Sequence, residues 1–389
     1  MKLNDDQKKA LLKFSKWYKD FNKATKCVRS WFEISGAAGT GKTTLAKHLF
    51  RSVGIDDKHV LFVAYVGKAT MALARNGLHA KTIHSAIYNV EWMPCENDDG
   101  SISYRREFVL KSDLGHRIQA IVVDEGSMVP ENIAHDLLSF GLPIIVLGDL
   151  NQLPPVMGNA FFLQHPDAIL KKIMRQAEES PIIRLSQDIL NSNMFKLGNY
   201  DSSGKIVILE DKKGLDVDFD SYDSIIVGRN ITREMYNKYI REQVYHRYGD
   251  LMVGDKLICR KNNWDYFTHE GIFLINGLIG TVTDIDIETS TDSFFNIELQ
   301  PEGFKDRFYD VHLDRKMFDI PISKKRNITN MFSRYDLFEY AYAITCHLSQ
   351  GSQYNNVYIK YEQMQSSEYC RKWLYTAVTR AIERMTLVI

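Results

Sequence analysis

Eight consecutive residues, Gly36-Ala37-Ala38-Gly39-Thr40-Gly41-Lys42-Thr43, satisfy the spacing G-x-x-x-x-G-K-T. In that pattern a glycine-rich turn wraps backbone N–H groups around the phosphates of a nucleoside triphosphate. Lys42 neutralises phosphate charge and Thr43 offers a hydroxyl oxygen to Mg²⁺. Thr44 follows at the start of a helix whose N-terminus adds positive potential. An apolar run, WFEIS, precedes the loop and a helix-like run, TTLAKHLF, follows it, which is the context this motif needs. The competing reading, a glycine-rich turn that holds no nucleotide, has that context against it.

A second apolar run, AIVV, ends in Asp124-Glu125. Strand ends in an open parallel sheet face the ligand crevice, so two carboxylates there divide naturally between metal and base. Asp124 holds Mg²⁺ through its water shell, and Glu125 polarises the water that attacks the γ-phosphate. An acidic pair capping the next helix is the plainer alternative. A third apolar run ends in Gly148-Asp149-Leu150-Asn151-Gln152-Leu153-Pro154-Pro155, where Gln152 is placed to sense the γ-phosphate. That stretch alone fits a simple turn equally well. The three strand ends in this order are far more restrictive than any one of them.

These groups need a sheet to hold them. The first half of the chain alternates short apolar runs with helix-like segments, WFEIS, TTLAKHLF, VLFVAY, KATMALA, AIVVDE and PIIVLGD, the rhythm of a parallel sheet covered by helices. Residues 86–113 interrupt it with two strand-like stretches around a turn rich in Asn, Asp and Gly, which reads as an inserted hairpin. A second α/β cycle begins at DSIIVGRN and resumes with YAYAIT, NNVYIK and the closing MTLVI. Between them, residues 255–339 are rich in strands and turns and predict a small inserted β-barrel.

Composition bounds the class. A chain of 389 residues exceeds one compact core and predicts two principal domains. With 44% hydrophobic and 25% charged residues it reads as folded throughout. The 49 basic and 49 acidic residues cancel, so no global field announces nucleic acid, and any DNA groove must come from local placement of cations. The five cysteines form no CxxC pair, which excludes the usual zinc and redox motifs. No apolar run approaches the roughly 20 residues of a membrane span, and the N-terminus has no signal-peptide core. A soluble protein of the cytoplasm is expected.

The ordered motifs resemble those of superfamily 1 helicases of the 1B group, in the RecD-like branch, over nearly the whole chain from Gln7 to Arg380. The resemblance implies an α/β fold of two RecA-like P-loop lobes with parallel sheets. It divides the chain into a first motor domain at 1–178 carrying the hairpin, a second at 179–254 and 340–389, and an SH3-like barrel at 255–339. It further implies that Gln7 reads adenine and that Lys68, Thr82 and His84 touch the DNA backbone, although His84 fits a plain helix face equally. Arg175 and Arg380 match the two arginines that reach the γ-phosphate, with a surface salt bridge as the alternative for each. Thr345 and His347 match DNA-facing positions, and Gln350 and Gly351 cleft-facing ones. Gln353 stands where an acidic residue commonly follows, which removes one charged contact of the pattern. The run containing Asn230 and Arg233 resembles a DNA-facing element, and a helix cap fits it nearly as well.

The activity so implied is ATP- and Mg²⁺-dependent tracking along single-stranded DNA, 5′ to 3′ by the resemblance alone, with unwinding of forked DNA. A single-strand-binding protein or replisome component is an expected partner, and a monomer the expected state. Within the hairpin, Tyr88, Trp92, Tyr104 and Phe108 are candidates for a ring that wedges the terminal base pair, or for the hairpin's own small core. Three other functions fit part of the pattern: a translocase that strips proteins without unwinding, a nucleotide-dependent DNA tether without turnover, and a small-molecule kinase. The last has no use for the second-lobe motifs.

Overall fold

The computed structural model describes residues 3–23, 29–65, 67–75, 77–96, 102–154, 161–173, 180–192, 196–211, 214–268, 273–320, 333–364 and 366–389. The chain divides into two units, Met1–Glu178 and Glu179–Ile389.

In the first unit, strands β1 (Trp31–Gly36), β2 (Val60–Ala64), β3 (Ala80–Thr82), β6 (Ala120–Asp124), β7 (Ile144–Gly148) and β8 (Ala168–Leu170) form one sheet in the order β3-β2-β6-β7-β1-β8. Every pairing in it is parallel. The central strands are apolar along their length because both faces are covered. Alternate side chains divide between two cores. Phe32, Ile34, Phe62, Val122, Ile145 and Leu147 pack against helices α1 (Asp5–Asn22), α2 (Lys42–Ser52) and α3 (Gly67–Arg75). Their neighbours Leu61, Val63, Ile121, Val123, Ile144 and Val146 pack against α4 (Ile83–Ile87) and α5 (Glu131–Leu138). Phe14 of α1 is fully buried between Phe32 and Phe50, edge-to-face with each at 5.6 Å. Strands β4 (Tyr88–Glu96) and β5 (Ile102–Leu110) pair antiparallel from Tyr88↔Leu110 to Glu96↔Ile102 and stand apart from the main sheet as a hairpin.

The second unit repeats the parallel plan. Strands β10 (Ile206–Leu209), β11 (Ser224–Val227), β19 (Ala343–Thr345), β20 (Tyr354–Lys360) and β21 (Ala381–Val388) pair in parallel, and β9 (Gly198–Asn199) adds an antiparallel edge. The order is β19-β11-β20-β21-β10-β9. Its helices are α6 (Pro181–Leu190), α7 (Asn230–Tyr239), which runs on into a π turn at Ile240–Val244, and α8 (Ser367–Val378).

Between α7 and β19 lies an antiparallel sheet of β12 (Lys256–Cys259), β15 (Ile279–Asp286), β16 (Phe294–Pro301), β17 (Phe308–Asp314) and β18 (Phe338–Tyr340), ordered β17-β16-β15-β12-β18. A separate ribbon joins β13 (Asn263–Phe267) to β14 (Phe273–Leu274). The two edges of the five-stranded sheet meet at a Leu313–Asp336 bridge, where the Asp314 amide donates to the Asp336 carbonyl at 3.0 Å and the Asp336 amide to the His312 carbonyl at 2.8 Å. These bonds close the sheet into a small barrel, which removes exposed edges. One carboxylate seats it: fully buried Asp255, just before β12, accepts from Arg241 Nε at 3.1 Å, the Tyr342 hydroxyl at 2.6 Å and the Met252 amide at 2.8 Å. Among the described residues no helix is long and apolar enough to cross a membrane.

Candidate nucleotide site and nucleic-acid interface

The order of the first sheet decides what its strand ends share. Strand β7 lies between β6 and β1, with Ser35 opposite Gly148 and Val123 opposite Val146, so the G-x-x-x-x-G-K-T loop, the Asp124-Glu125 pair and the Gly148–Gln152 turn leave the carboxyl edge side by side. The loop between β1 and α2 is wound by Gly39 and Gly41, both at φ 78°, a left-handed conformation that glycine adopts without steric cost. The buried Thr40 hydroxyl donates to the Ala37 carbonyl at 2.8 Å and braces the turn. Lys42 Nζ donates to the Gly36 carbonyl at 2.6 Å and the Ala37 carbonyl at 3.2 Å, so its charge sits in the mouth of the loop. Thr43 and Thr44 occupy the first turn of α2.

Gln7 is fully buried, and its amide is already bonded twice. Its Oε1 accepts from the Asn4 amide at 3.1 Å, and its Nε2 donates to the Thr40 carbonyl at 3.4 Å. It thus belongs to the capping box of α1 and clasps that helix to the phosphate loop. One donor and one lone pair remain for a base.

Asp124 ends β6 half-buried, and Glu125 follows in the left-handed region at φ 51°, a strained position for a residue with a Cβ. Burial, and then the charge of Glu125, push the Asp124 carboxyl up to about 6, while Lys42 opposes the shift. Carboxylates crowded in this way form a hard oxygen-donor set that suits Mg²⁺. No cluster of three or more His, Cys, Asp or Glu makes an all-protein cage among the described residues. Few protein ligands, with phosphates and water completing the shell, is how Mg²⁺ is usually held. In the third turn, the Asn151 amide donates to Asp149 Oδ1 at 3.0 Å, and the Leu150 amide to Ser35 Oγ at 3.4 Å, which pins the buried Gln152 beside the end of β1. Pro155 and Arg175 lie outside the described residues.

In the second unit, Thr345 ends β19 and is buried, and the turn after it carries half-buried His347, buried Gln350 and Gly351 at φ 75°. Arg380 comes to this turn from the end of α8. Its guanidinium is buried and donates from Nη1 to the Ser352 carbonyl at 3.2 Å, from Nε to the Thr376 carbonyl at 3.0 Å and from Nη2 to Thr379 Oγ1 at 3.1 Å. The T-C-H-L-S-Q-G-S and T-R segments therefore form one cluster.

Comparison with known proteins agrees with both halves. The AAA domain family matches residues 18–211, and the UvrD-like helicase C-terminal domain matches residues 340–388. The ATP-dependent DNA helicase dda of Enterobacteria phage T4 is 24% identical over 75% of this chain and 71% of its own length. The uncharacterized protein MJ1519 of Methanocaldococcus jannaschii is 25% identical over 92% of this chain, which spans only 36% of that larger protein. A structure of Pif1 helicases at forked double-stranded DNA superposes on the fold with a TM-score of 0.57, at 18% identity, covering 100% of this chain and 92% of that one. Together these matches support placing the chain with the superfamily 1B helicases.

The segments through which such a helicase is expected to meet DNA are mixed in character. Lys68 lies in the first turn of α3, and its side chain is outside the description. The Thr82 hydroxyl is buried and caps α4, donating to Ser85 Oγ at 2.9 Å and accepting from the Ser85 amide at 3.2 Å. His84 is half-buried against Tyr65, Tyr88 and Phe108, with ring centroids 5.7, 5.8 and 6.0 Å away, and burial lowers its pKa, so the ring is neutral at pH 7. His347 is held neutral by burial in the same way.

The four hairpin rings are not equivalent. Tyr88 and Phe108 sit at the foot, opposite Leu110 and Val90. The Tyr88 hydroxyl donates to Asp136 of α5, while Phe108 is 51% exposed. Trp92 and Tyr104 stand higher on the ladder, opposite Arg106 and Pro94, and their side chains are outside the described set.

Asn230 is exposed at the start of α7, but Arg233, expected to face DNA, is buried, with Nη1 3.0 Å from Glu339. Arg260 Nε approaches the same carboxylate at 3.0 Å. The structure places Arg233 inside its lobe, because helical periodicity turns it from the exposed face of α7 toward the barrel. A residue that sequence reasoning missed holds this segment. Glu362 accepts from the Gly228 amide at 2.7 Å, the Arg229 amide at 2.9 Å and the Thr232 hydroxyl at 2.6 Å, capping α7 from 130 residues away in sequence. No local spacing signals it.

Proposed function

We propose that this helicase hydrolyses ATP at the carboxyl edge of its first sheet and uses the cycle to track 5′ to 3′ along single-stranded DNA, separating a duplex at a fork. The observation that carries this reading is the convergence of Lys42, Asp124, Glu125 and Gln152 on three adjacent strand ends. Lys42 and the loop amides hold the phosphates, Thr43 and Asp124 hold Mg²⁺, and Glu125 takes the proton of the attacking water. Mg²⁺ held by these residues would supply neutralisation of phosphate charge.

Arg380 and Arg175 supply the guanidinium groups that spread-out phosphoryl charge calls for. Arg380 leaves its bonds to Ser352 and Thr379 when it serves in that role. Gln350 and Gly351 report the nucleotide state to the strand held by Thr345, His347 and Asn230. Motor lobes at 1–178 and at 179–254 with 340–389, and an SH3-like barrel at 255–339, are the division that this reading assigns. Forked DNA is the substrate, a single-strand-binding protein or replisome component the partner, a monomer the working state, and the cytoplasm of a bacterium or phage-infected cell the setting.

ATPase measured with and without oligo-dT is the direct test. Wild-type turnover should rise many-fold with oligo-dT and vanish in Lys42→Ala. A flat response to DNA points to a tether instead. Forks with a single tail on one strand at a time read the direction, and displacement of streptavidin without strand separation would reassign the chain as a translocase.

A further inference from the structure

Strand β3 is the free edge of the first sheet, and the segment that leads from the hairpin to β6 folds along it. Between them is a groove of about 290 Å³ at the foot of the hairpin. Five basic residues line it, His79, Lys81, Lys111, His116 and Arg117, above an apolar floor that includes Leu61 and Ile118. Its one acid, Asp113, is turned into its own loop, accepting from the Gly115 amide at 2.7 Å.

Lys111 is fixed by donating to the Ser85 and Ala86 carbonyls, both at 2.9 Å, at the end of α4. That leaves one of its three N–H groups. Burial, and then the nearby Lys81, lower the Lys111 pKa, and an anion beside it would favour its charged form. Among the described residues no ion pair engages Lys81 or Arg117. A chain with balanced charge overall has gathered these cations in one place.

Cations above an apolar floor suit a polynucleotide, phosphates on the rim and sugar or base below. Along β3, Lys81 lies on the face opposite Thr82, whose buried hydroxyl caps α4. We propose that the groove binds the phosphate backbone of the strand displaced at the fork, guiding it away along the outer edge of the sheet. The inference rests on the strand-separation reading above.

The 389-residue chain and its variant combining Arg117→Glu with His116→Ala test it, both positions being exposed. The substrates are an oligo-dT single strand and forks in which one tail or the other is an uncharged methylphosphonate. Wild type should bind about three- to tenfold more weakly when the displaced tail is uncharged, the share of one or two phosphate contacts. The variant should lose that difference and show a smaller salt slope on the charged fork, with unaltered single-strand affinity and oligo-dT-stimulated ATPase.

Equal binding of both forks by wild type overturns the proposal, and so does an equal loss by the variant on single strands, which would hand the groove to the tracked strand. Wild type that shows no DNA-stimulated ATPase fails at the earlier step and takes both readings with it. A matching thermal melt of the variant excludes misfolding as the cause.

Discussion

The proposal gives the neighbours Asp124 and Glu125 different tasks, and their surroundings differ. Asp124 carries the raised pKa, about 6, while Glu125 is turned out of the strand by its left-handed backbone. Glu125→Gln keeps the shape and removes the base. ATP hydrolysis should drop by about 10²- to 10⁴-fold, the usual worth of a positioned general base, with nucleotide affinity almost unchanged. A fluorescent ATP analogue and a phosphate-release assay separate the two effects. Above pH 6 the Asp124 carboxylate is charged and free to meet the cation; below it, Mg²⁺ must displace a proton. Apparent Mg²⁺ affinity should therefore weaken as pH falls through about 6, which titrating the ATPase with Mg²⁺ at pH 5.5 and 7.5 will read. An affinity that stays level between them removes Asp124 from the metal site. Gly126 shows how closely this edge is packed, since a Cβ there would lie 2.3 Å from Val146 Cγ1. Gly126→Ala should cost about 1 to 3 kcal/mol of stability through overpacking, measurable by chemical denaturation.

Among the elements, the hairpin carries the mechanical question. Its foot is held twice, by the Tyr88 hydroxyl on Asp136 and by the Lys111 amide, which donates to the Ile87 carbonyl at 2.8 Å. Tyr88 is thereby an anchor, and of the two hairpin rings whose side chains are described, Phe108, exposed beside His84, is the one open to stacking on a base. Base–aromatic stacking is worth about 1 to 3 kcal/mol. Phe108→Ala should reduce base pairs opened per ATP several-fold while oligo-dT-stimulated ATPase holds. If unwinding and ATPase fall together, Phe108 serves tracking and not separation.

At the scale of the whole molecule, the second unit has to carry a barrel without losing its own sheet. Asp255 bridges them, bonded to Arg241 on the π turn and to Tyr342 just before β19. Removing one partner of a buried ion pair strands the other charge, at a cost of about 3 to 5 kcal/mol. Asp255→Asn should lower the first thermal transition by several degrees, yet below that temperature ATP binding by the first unit should persist. Loss of ATP binding at low temperature would contradict a role confined to the second unit.

The phosphate loop, the Asp124-Glu125 strand end and the alternation of apolar runs were legible in the chain, because each rests on local chemistry: a turn that needs glycine, a strand that needs two covered faces, a carboxylate at its end. The hairpin at Tyr88–Leu110 was legible for the same reason. What the linear order could not say is which strands become neighbours. Only the folded sheet puts β7 between β1 and β6 and so brings Lys42, Asp124 and Gln152 to one edge. Only packing turns Arg233 inward to Glu339, gives Glu362 the cap of α7 and collects Lys81, Lys111 and Arg117 around one groove. Those pairings join residues far apart in sequence, and they depend on which faces are buried, a property of the assembled layers and not of any single segment.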